Sequence, residues 1–359
     1  MPIPPSFVPA AALRWQKSVA NLREYEVVRD GNVFGSGMAR SSIFSSEYER
    51  AQRLKSELTE RYSDKGLESV FTGGEIRTES GCTYCIQSRH EVAGASLVSH
   101  RESSILSDLT LLRGIGPATA RRLRGRGYRT ITDLLQHPRY RSNAMQFLSY
   151  YQTRDVLPLM NWIGRRHHKS HHLLLTLAEY IDGGGFSFLD IETLGIFSRP
   201  IILLGMAQLQ DDQVHIRQYL LRDIEEEPAA LEAAFSHLSG SRAFVTFNGK
   251  SFDLPYLQER AAFYGMPFPC DVPHFDLLPF SRRRWKGAFC DCRLQTLERS
   301  VLGIRRDMDI PSALVPEFYE SYILTGSPGP LVPIVEHNRQ DVLSLVSLFQ
   351  LLREDSVCR

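Results

Sequence analysis

Cysteine is scarce in this chain, with six residues in 359. A chain this long can bury a sizeable core without a disulfide framework, so the six read as thiols or metal ligands in a reducing compartment. Long apolar runs are missing too. No stretch of about 18 apolar residues occurs, which leaves no candidate transmembrane helix. The opening "MPIPPSFVPAAALRW" lacks the basic segment that starts a secretory signal. These absences give the expectation of a cytoplasmic protein with no membrane partner. Neither internal repeats nor low-complexity tracts occur, so a repeat architecture is excluded. Net charge is almost nil at +1, with an ordinary 43% hydrophobic and 23% charged residues.

What is present is an uneven distribution of charge. Residues 1–182 hold 25 Lys and Arg against 18 acids, and residues 183–359 hold 17 against 23. A basic first half suggests an anionic partner. The length admits two or three domains. Residues 1–100 read as an N-terminal region that is partly β, because "SVFTGGEIRTESGCTYCIQSRHEV" alternates around glycines. Residues 101–150 form a basic helical module, residues 151–182 a linker containing "GRRHHKSHH", and residues 183–359 a second domain. Strands are expected at 186–192, 201–209, 214–220 and 243–247. Helices are expected at 225–238, 252–264, 294–302, 315–325 and 331–352. Three adjacent strands followed by strands separated by helices predict an α/β fold, a mixed sheet flanked by helices.

The chemistry starts in "FSFLDIETLGIF". Residues i and i+2 of a strand face one side, so Asp190 and Glu192 point together, about 7 Å apart along the strand. Alone, such a pair is most simply a strand end open to solvent. Asp253, in "FNGKSFDLPYL", falls in the first turn of a helix, where its dipole favours an acid. His337 and Asp341, in "HNRQDVLSL", are one turn apart on one helix face. Four carboxylates and a histidine on separate elements suit two Mg²⁺ or Mn²⁺ ions clamping a phosphodiester. His337 then either deprotonates or orients the attacking water.

These three segments resemble the motifs of the DEDD (DnaQ-like) 3′→5′ exonuclease superfamily on the ribonuclease H-like fold. The region from "CDCRLQTLERSVLGIRRDMDIP" to "HNRQDVLSL" resembles its YprB-like branch. The resemblance implies that Asp190, Glu192, Asp253 and Asp341 are the metal ligands and His337 the fifth catalytic residue. It also implies release of nucleoside 5′-monophosphates from the 3′ end. One departure stands out: His337 lies three residues before Asp341, the spacing of the tyrosine-bearing subclass. Thr193, Leu194 and Gly195 occupy positions that approach the terminal nucleotide in that superfamily, with Asn248 and Phe252 as further substrate-binding candidates. Other outcomes of the same site are a structure-specific endonuclease, a ribonuclease, or a silent nucleic-acid-binding scaffold.

"LLRGIGPATARRL" reads as an apolar helix, the turn Gly114-Ile115-Gly116, and a second helix opening at Pro117. It resembles a helix-hairpin-helix motif. Backbone amides at such a helix start bind phosphate, and Thr119, Arg121 and Arg122, with Arg124 and Arg126, add polar and positive groups nearby. These residues are the DNA-binding candidates, and they tilt the expected nucleic acid towards DNA. Three signals read as ordinary surface. Cys82 and Cys85 lie far along the chain from Cys290 and Cys292 and lack a zinc knuckle. The "HHKSHH" run reads as a solvated linker, and "RRRWK" at 282–286 as a surface helix turn or as a basic, aromatic segment lying along the incoming strand.

Overall fold

The computed structural model describes residues 42–91 and 104–357, apart from 182, 196–197, 211–212, 270 and 307. Residues 1–41 and 92–103 of the expected N-terminal region lie outside the described residues. Among those described, seven strands form one sheet: β1 (Gly73–Thr78), β2 (Gly81–Glu91), β3 (Phe186–Thr193), β4 (Ile201–Gln210), β5 (Gln213–Leu220), β6 (Ala243–Thr246) and β7 (His274–Asp276). Their order is β1-β2-β5-β4-β3-β6-β7. The first five in that order pair antiparallel, while β3–β6 and β6–β7 pair parallel. This is the mixed sheet of a ribonuclease H-like fold.

Ahead of β3 come α1 (Ser42–Arg61), α2 (Pro117–Gly125), α3 (Arg141–Thr153), α4 (Val156–Gly164) and α5 (His172–Thr176). After the antiparallel strands come α6 (Glu227–Leu238), α7 (Asp253–Tyr264), α8 (Leu277–Trp285), α9 (Val315–Thr325) and α10 (Leu331–Val357). The expected strands and helices of the second half are all found. β7 was not expected, and α8 only as the helix turn at 282–286, because a three-residue strand running straight into a helix has too little periodicity to read.

β3 shows how sequence sets the layers. Its even residues Phe186 and Phe188 meet Phe349 of α10, with ring centroids 5.2 and 5.8 Å apart. Its odd residues Leu189 and Ile191 join a second core on the opposite face. By the two-residue period Asp190 and Glu192 therefore face the side of α10. That helix forms because Leu331, Ile334, Val335, Val342, Leu345, Val346 and Phe349 recur at three- and four-residue spacing, and all are buried. Its start belongs to the second core and its later turns to the first. His337, Asn338 and Asp341 sit where it passes between them.

Two expectations about organisation need correcting. The β1–β2 hairpin is present, but β2 pairs with β5, so the hairpin extends the sheet of the second half. Residues 151–182, read as a linker, carry α4 and α5. Their Leu159, Ile163, Leu173 and Leu175 are buried in the same core as Phe186 and Phe349. The "HHKSHH" run is likewise tied down: His167 Nε2 lies 3.1 Å from Asp108 Oδ2, and Arg283 donates to the Ser170 carbonyl at 3.3 Å. The histidines obscured an apolar pattern that packs. Among the described residues, no helix is long and apolar enough to cross a membrane, and Cys82, Cys85, Cys290 and Cys292 are free thiols.

Candidate active site

Three elements deliver the acids. β3 carries Asp190 and Glu192 near its C-terminal end, α7 opens with Asp253, and α10 presents His337 and Asp341 one turn apart. Glu192, Asp253 and His337 are buried, at 7, 5 and 6% exposure, with Asp190 and Asp341 half-buried. The four acids and the histidine expected from the sequence thus lie on adjoining elements. His337 Nε2 lies 3.9 Å from Glu192 Oε1 and 3.6 Å from Asp341 Oδ2.

Burial sets the electrostatics. Desolvation, with repulsion from Asp341, Glu192 and Asp253, holds the Asp190 carboxyl well above the usual range. Desolvation pushes Glu192 up to about 7, against the pull of His337. Asp253 also rises to about 7 by desolvation, although its own amide and that of Ile191 hydrogen-bond to it. Asp341 is raised by desolvation and held back by His337 and Arg306. Four acids raised in one place are a concentration of unfavourable charge. Burial lowers His337, but Asp309, Asp341 and Glu192 outweigh it and hold the imidazole at about 9.

The donor chemistry fits a hard divalent cation: carboxylate oxygens from three elements, poorly compensated by the protein. The side chains as they stand are nonetheless open. Among the described residues, no three His, Cys, Asp or Glu groups close around one point. One oxygen of Asp341 instead accepts a hydrogen bond from Arg306 Nη2.

The family comparison decides what carries these residues. Residues 187–353 match the model described as the RNase_H superfamily, a span running from β3 into α10 and holding all five side chains. Residues 187–353 carry a ribonuclease H-like fold. The chain is also similar to the uncharacterized protein YprB of Bacillus subtilis (strain 168), with 34% identity over 206 residues. That alignment covers 56% of this chain and 48% of YprB, so the chain spans about half the length of that relative. The family B DNA polymerase of the hyperthermophilic archaeon Pyrobaculum calidifontis aligns at 17% identity and a TM-score of 0.39. It covers 46% of this chain and 24% of the polymerase, and at that score it adds nothing to the assignment.

Around its acids the ribonuclease H-like domain places residues that sequence reasoning missed. Asn338 Nδ2 donates to Asp190 Oδ2 at 2.8 Å and to the Asp190 carbonyl at 3.1 Å, and its own Oδ1 accepts from Gln218 Nε2 at 2.9 Å. Gly205, paired across from Asp190, makes room: a Cβ there would lie 2.0 Å from Asn338 Oδ1. Asp309 Oδ1 accepts the Nδ1 proton of His337 at 2.8 Å, and Gln295 holds the other Asp309 oxygen at 2.9 Å. Arg306 forks onto buried Glu298 with two 2.7 Å bonds, while its Nη1 crowds His337 Nδ1 at 3.0 Å. Asn338 had a signal, lying beside His337 in a quoted motif. Arg306 and Asp309 had only the charges of "GIRRDMDIP", which carry no period.

The ribonuclease H-like domain positions the substrate candidates less uniformly. Thr193 Oγ1 donates to the Gly195 carbonyl at 2.7 Å. The Tyr256 hydroxyl, one turn beyond Asp253, also donates towards Gly195. Leu194 is partly buried against the second core, and Gly195 lies against Arg199. Asn248 adopts φ +69° in a turn whose amide donates to Asp276 Oδ1 at 2.8 Å, and its side chain is exposed. Phe252 caps α7 and stacks obliquely on Tyr256, 5.4 Å between centroids.

The hairpin differs in part from expectation. The apolar stretch before it forms two 3₁₀ turns, Ser104–Ser107 and Leu109–Leu111, rather than an α-helix. Gly114 takes φ +83°, open to glycine, and Gly116 caps α2 with Pro117 in the first turn. Arg121 and Arg122 are exposed and Thr119 half-buried, but Ile115 is only 4% exposed. Its side chain belongs to the core, which leaves only its backbone for contact.

Proposed function

We propose that this protein is a metal-dependent 3′→5′ exonuclease of the DEDD type, acting on DNA and releasing nucleoside 5′-monophosphates. The observation carrying this reading is the convergence of Asp190, Glu192, Asp253, Asp341 and His337 at one buried place in a ribonuclease H-like domain. Asp190, Glu192, Asp253 and Asp341 would hold Mg²⁺ or Mn²⁺. Such ions, when bound, supply Lewis acidity to the scissile phosphate and make water a stronger nucleophile at neutral pH.

The chain's own groups do the rest. Asp309 accepts the Nδ1 proton of His337 and so turns Nε2 towards the carboxylates, where it can orient the attacking water. Asn338 fixes the rotamer of Asp190 against β4. Thr193, Leu194 and Gly195 would meet the terminal nucleotide, with Asn248 and Phe252 nearby. The amides of Gly116 and its neighbours, with Arg121 and Arg122, would grip the backbone of DNA without reading sequence.

The test is a 5′-labelled single strand incubated with Mg²⁺ or Mn²⁺, which should give a ladder shortening from the 3′ end. An Asp190→Asn protein of full activity would sink the assignment. Flap, overhang and RNA substrates separate an endonuclease or ribonuclease from this reading. The Arg306 contact to Asp341 favours a second reading, a silent nucleic-acid-binding scaffold, because a cation already stands on a ligand. Calorimetric titration with Mn²⁺ distinguishes them: the scaffold binds no metal that depends on these acids.

A further inference from the structure

A half-open cleft of about 520 Å³ borders the site, and Arg306 and Asp309 line it. Those residues touch Asp341 and His337 from the other side, so the cleft and the carboxylates share a wall. Its volume lies within the range of small-ligand sites, enough for a nucleotide unit rather than a lone ion.

Its charges are unequally spent. Glu298, which also lines it, is occupied by the two-pronged bond from Arg306 and by Ser344. Asp309 is occupied by His337 and Gln295. The remaining charged groups in the lining are Arg299 and Arg305. Both are exposed, and neither has an ion pair or hydrogen bond among the described residues. Each is also a chain neighbour of a pinned residue, Arg299 of Glu298 and Arg305 of Arg306. Two exposed arginines therefore line one cleft from anchored backbone, each with donors matched to phosphate.

We propose that this cleft binds a phosphodiester of the substrate strand next to the one presented to the carboxylates, with Arg299 and Arg305 as its ligands. The proposal rests on the nuclease reading for the identity of the strand. A strand entering the carboxylate site carries its neighbouring phosphates within reach of that shared wall, and every phosphate bears a charge opposite to that of the two arginines.

The experiment measures anisotropy of a fluorescent single-stranded oligonucleotide with the full chain in EDTA, where metal-dependent cleavage is suppressed, across a range of salt. Replacing both side chains (Arg299→Ala with Arg305→Ala) should weaken binding roughly tenfold and reduce the slope of log K against log salt by about 0.7, the value for one phosphate on a single strand. The Arg299→Lys, Arg305→Lys protein should keep the slope, which separates lost charge from lost fold. An unchanged slope in the alanine protein, or no binding by the wild type, overturns the cleft assignment. Adding Mn²⁺ reads the reaction separately. A chain that cleaves while its alanine variant binds normally loses only the cleft, and a chain that binds through the arginines without cleaving loses only the reaction.

Discussion

Asp309 and His337 form a dyad, with Oδ1 2.8 Å from Nδ1, although 28 residues separate them in sequence. The pair fixes how a histidine at the unusual three-residue spacing turns Nε2 towards the carboxylates. Its orientation is set from outside the helix that bears it. Asp309→Asn should lower kcat with little change in KM, and His337→Gln should lower it by about 10²–10⁴. In the Asp309→Asn protein the acid limb of the rate profile should move to lower pH, because the carboxylate that raises His337 is gone. A KM effect with the pH limb unmoved would reduce Asp309 to a structural residue.

Stability should fall with rising pH when divalent metal is chelated. Glu192 and Asp253 titrate near 7 when folded, far above the ordinary carboxyl value. Between about pH 4 and 7 the folded chain therefore binds more protons than the unfolded one, which makes stability drop as pH rises. His337, raised to about 9, adds in the same direction: its contribution is full below about 6.5 and lost as pH passes 9. Thermal melts in EDTA should show this decline. Asp253→Asn should flatten it, and Mn²⁺ should largely remove it.

Gly205→Ala should destabilise the protein by about 1–3 kcal/mol, because the new methyl meets Asn338 Oδ1 at a distance no packing tolerates. Asn338→Ala should reduce activity by releasing Asp190. The double variant should recover part of the stability lost in Gly205→Ala but none of the activity. A denaturant-melt double-mutant cycle measures the coupling, and additivity would remove the proposed contact.

Arg306 draws two outcomes apart. Arg306→Ala alone should cost about 3–5 kcal/mol, since it leaves Glu298 buried and unpaired. Arg306→Met with Glu298→Gln should recover most of that loss. In this double variant Asp341 is freed, so calorimetry should show tighter Mn²⁺ binding than in the wild type. Weaker binding would mean that Arg306 supports the ligand instead of competing for it.

Arg121→Glu with Arg122→Glu should weaken duplex DNA binding about uniformly across sequences and lower its salt dependence. Both side chains are exposed, so melting temperature should hardly move. Unaltered binding would remove the hairpin from the DNA-contacting surface.

Much of the site was legible because periodic elements carry it. Asp190 and Glu192 inherit the face of Phe186 and Phe188, and His337 and Asp341 share a turn, so period alone places them. Arg306 and Asp309 sit in an aperiodic stretch whose reach depends on where the chain turns. Their partners cannot be read from spacing. The β1–β2 hairpin was legible as a hairpin, but its pairing with β5 joins residues more than 120 apart. Residues 151–182 carried a readable helical pattern in Leu159 and Ile163, masked by the charged, histidine-rich run that follows.

The apolar core that encloses Phe349 also encloses Ile115, Leu123 and Phe147. The hairpin is thereby packed into the same core as the sheet that carries Asp190. Whatever the hairpin holds is held at a constant remove from Asp190. On the proposed function the two surfaces would act as a gauge, with a strand gripped at one end meeting the carboxylates at a length fixed by the packing of these side chains.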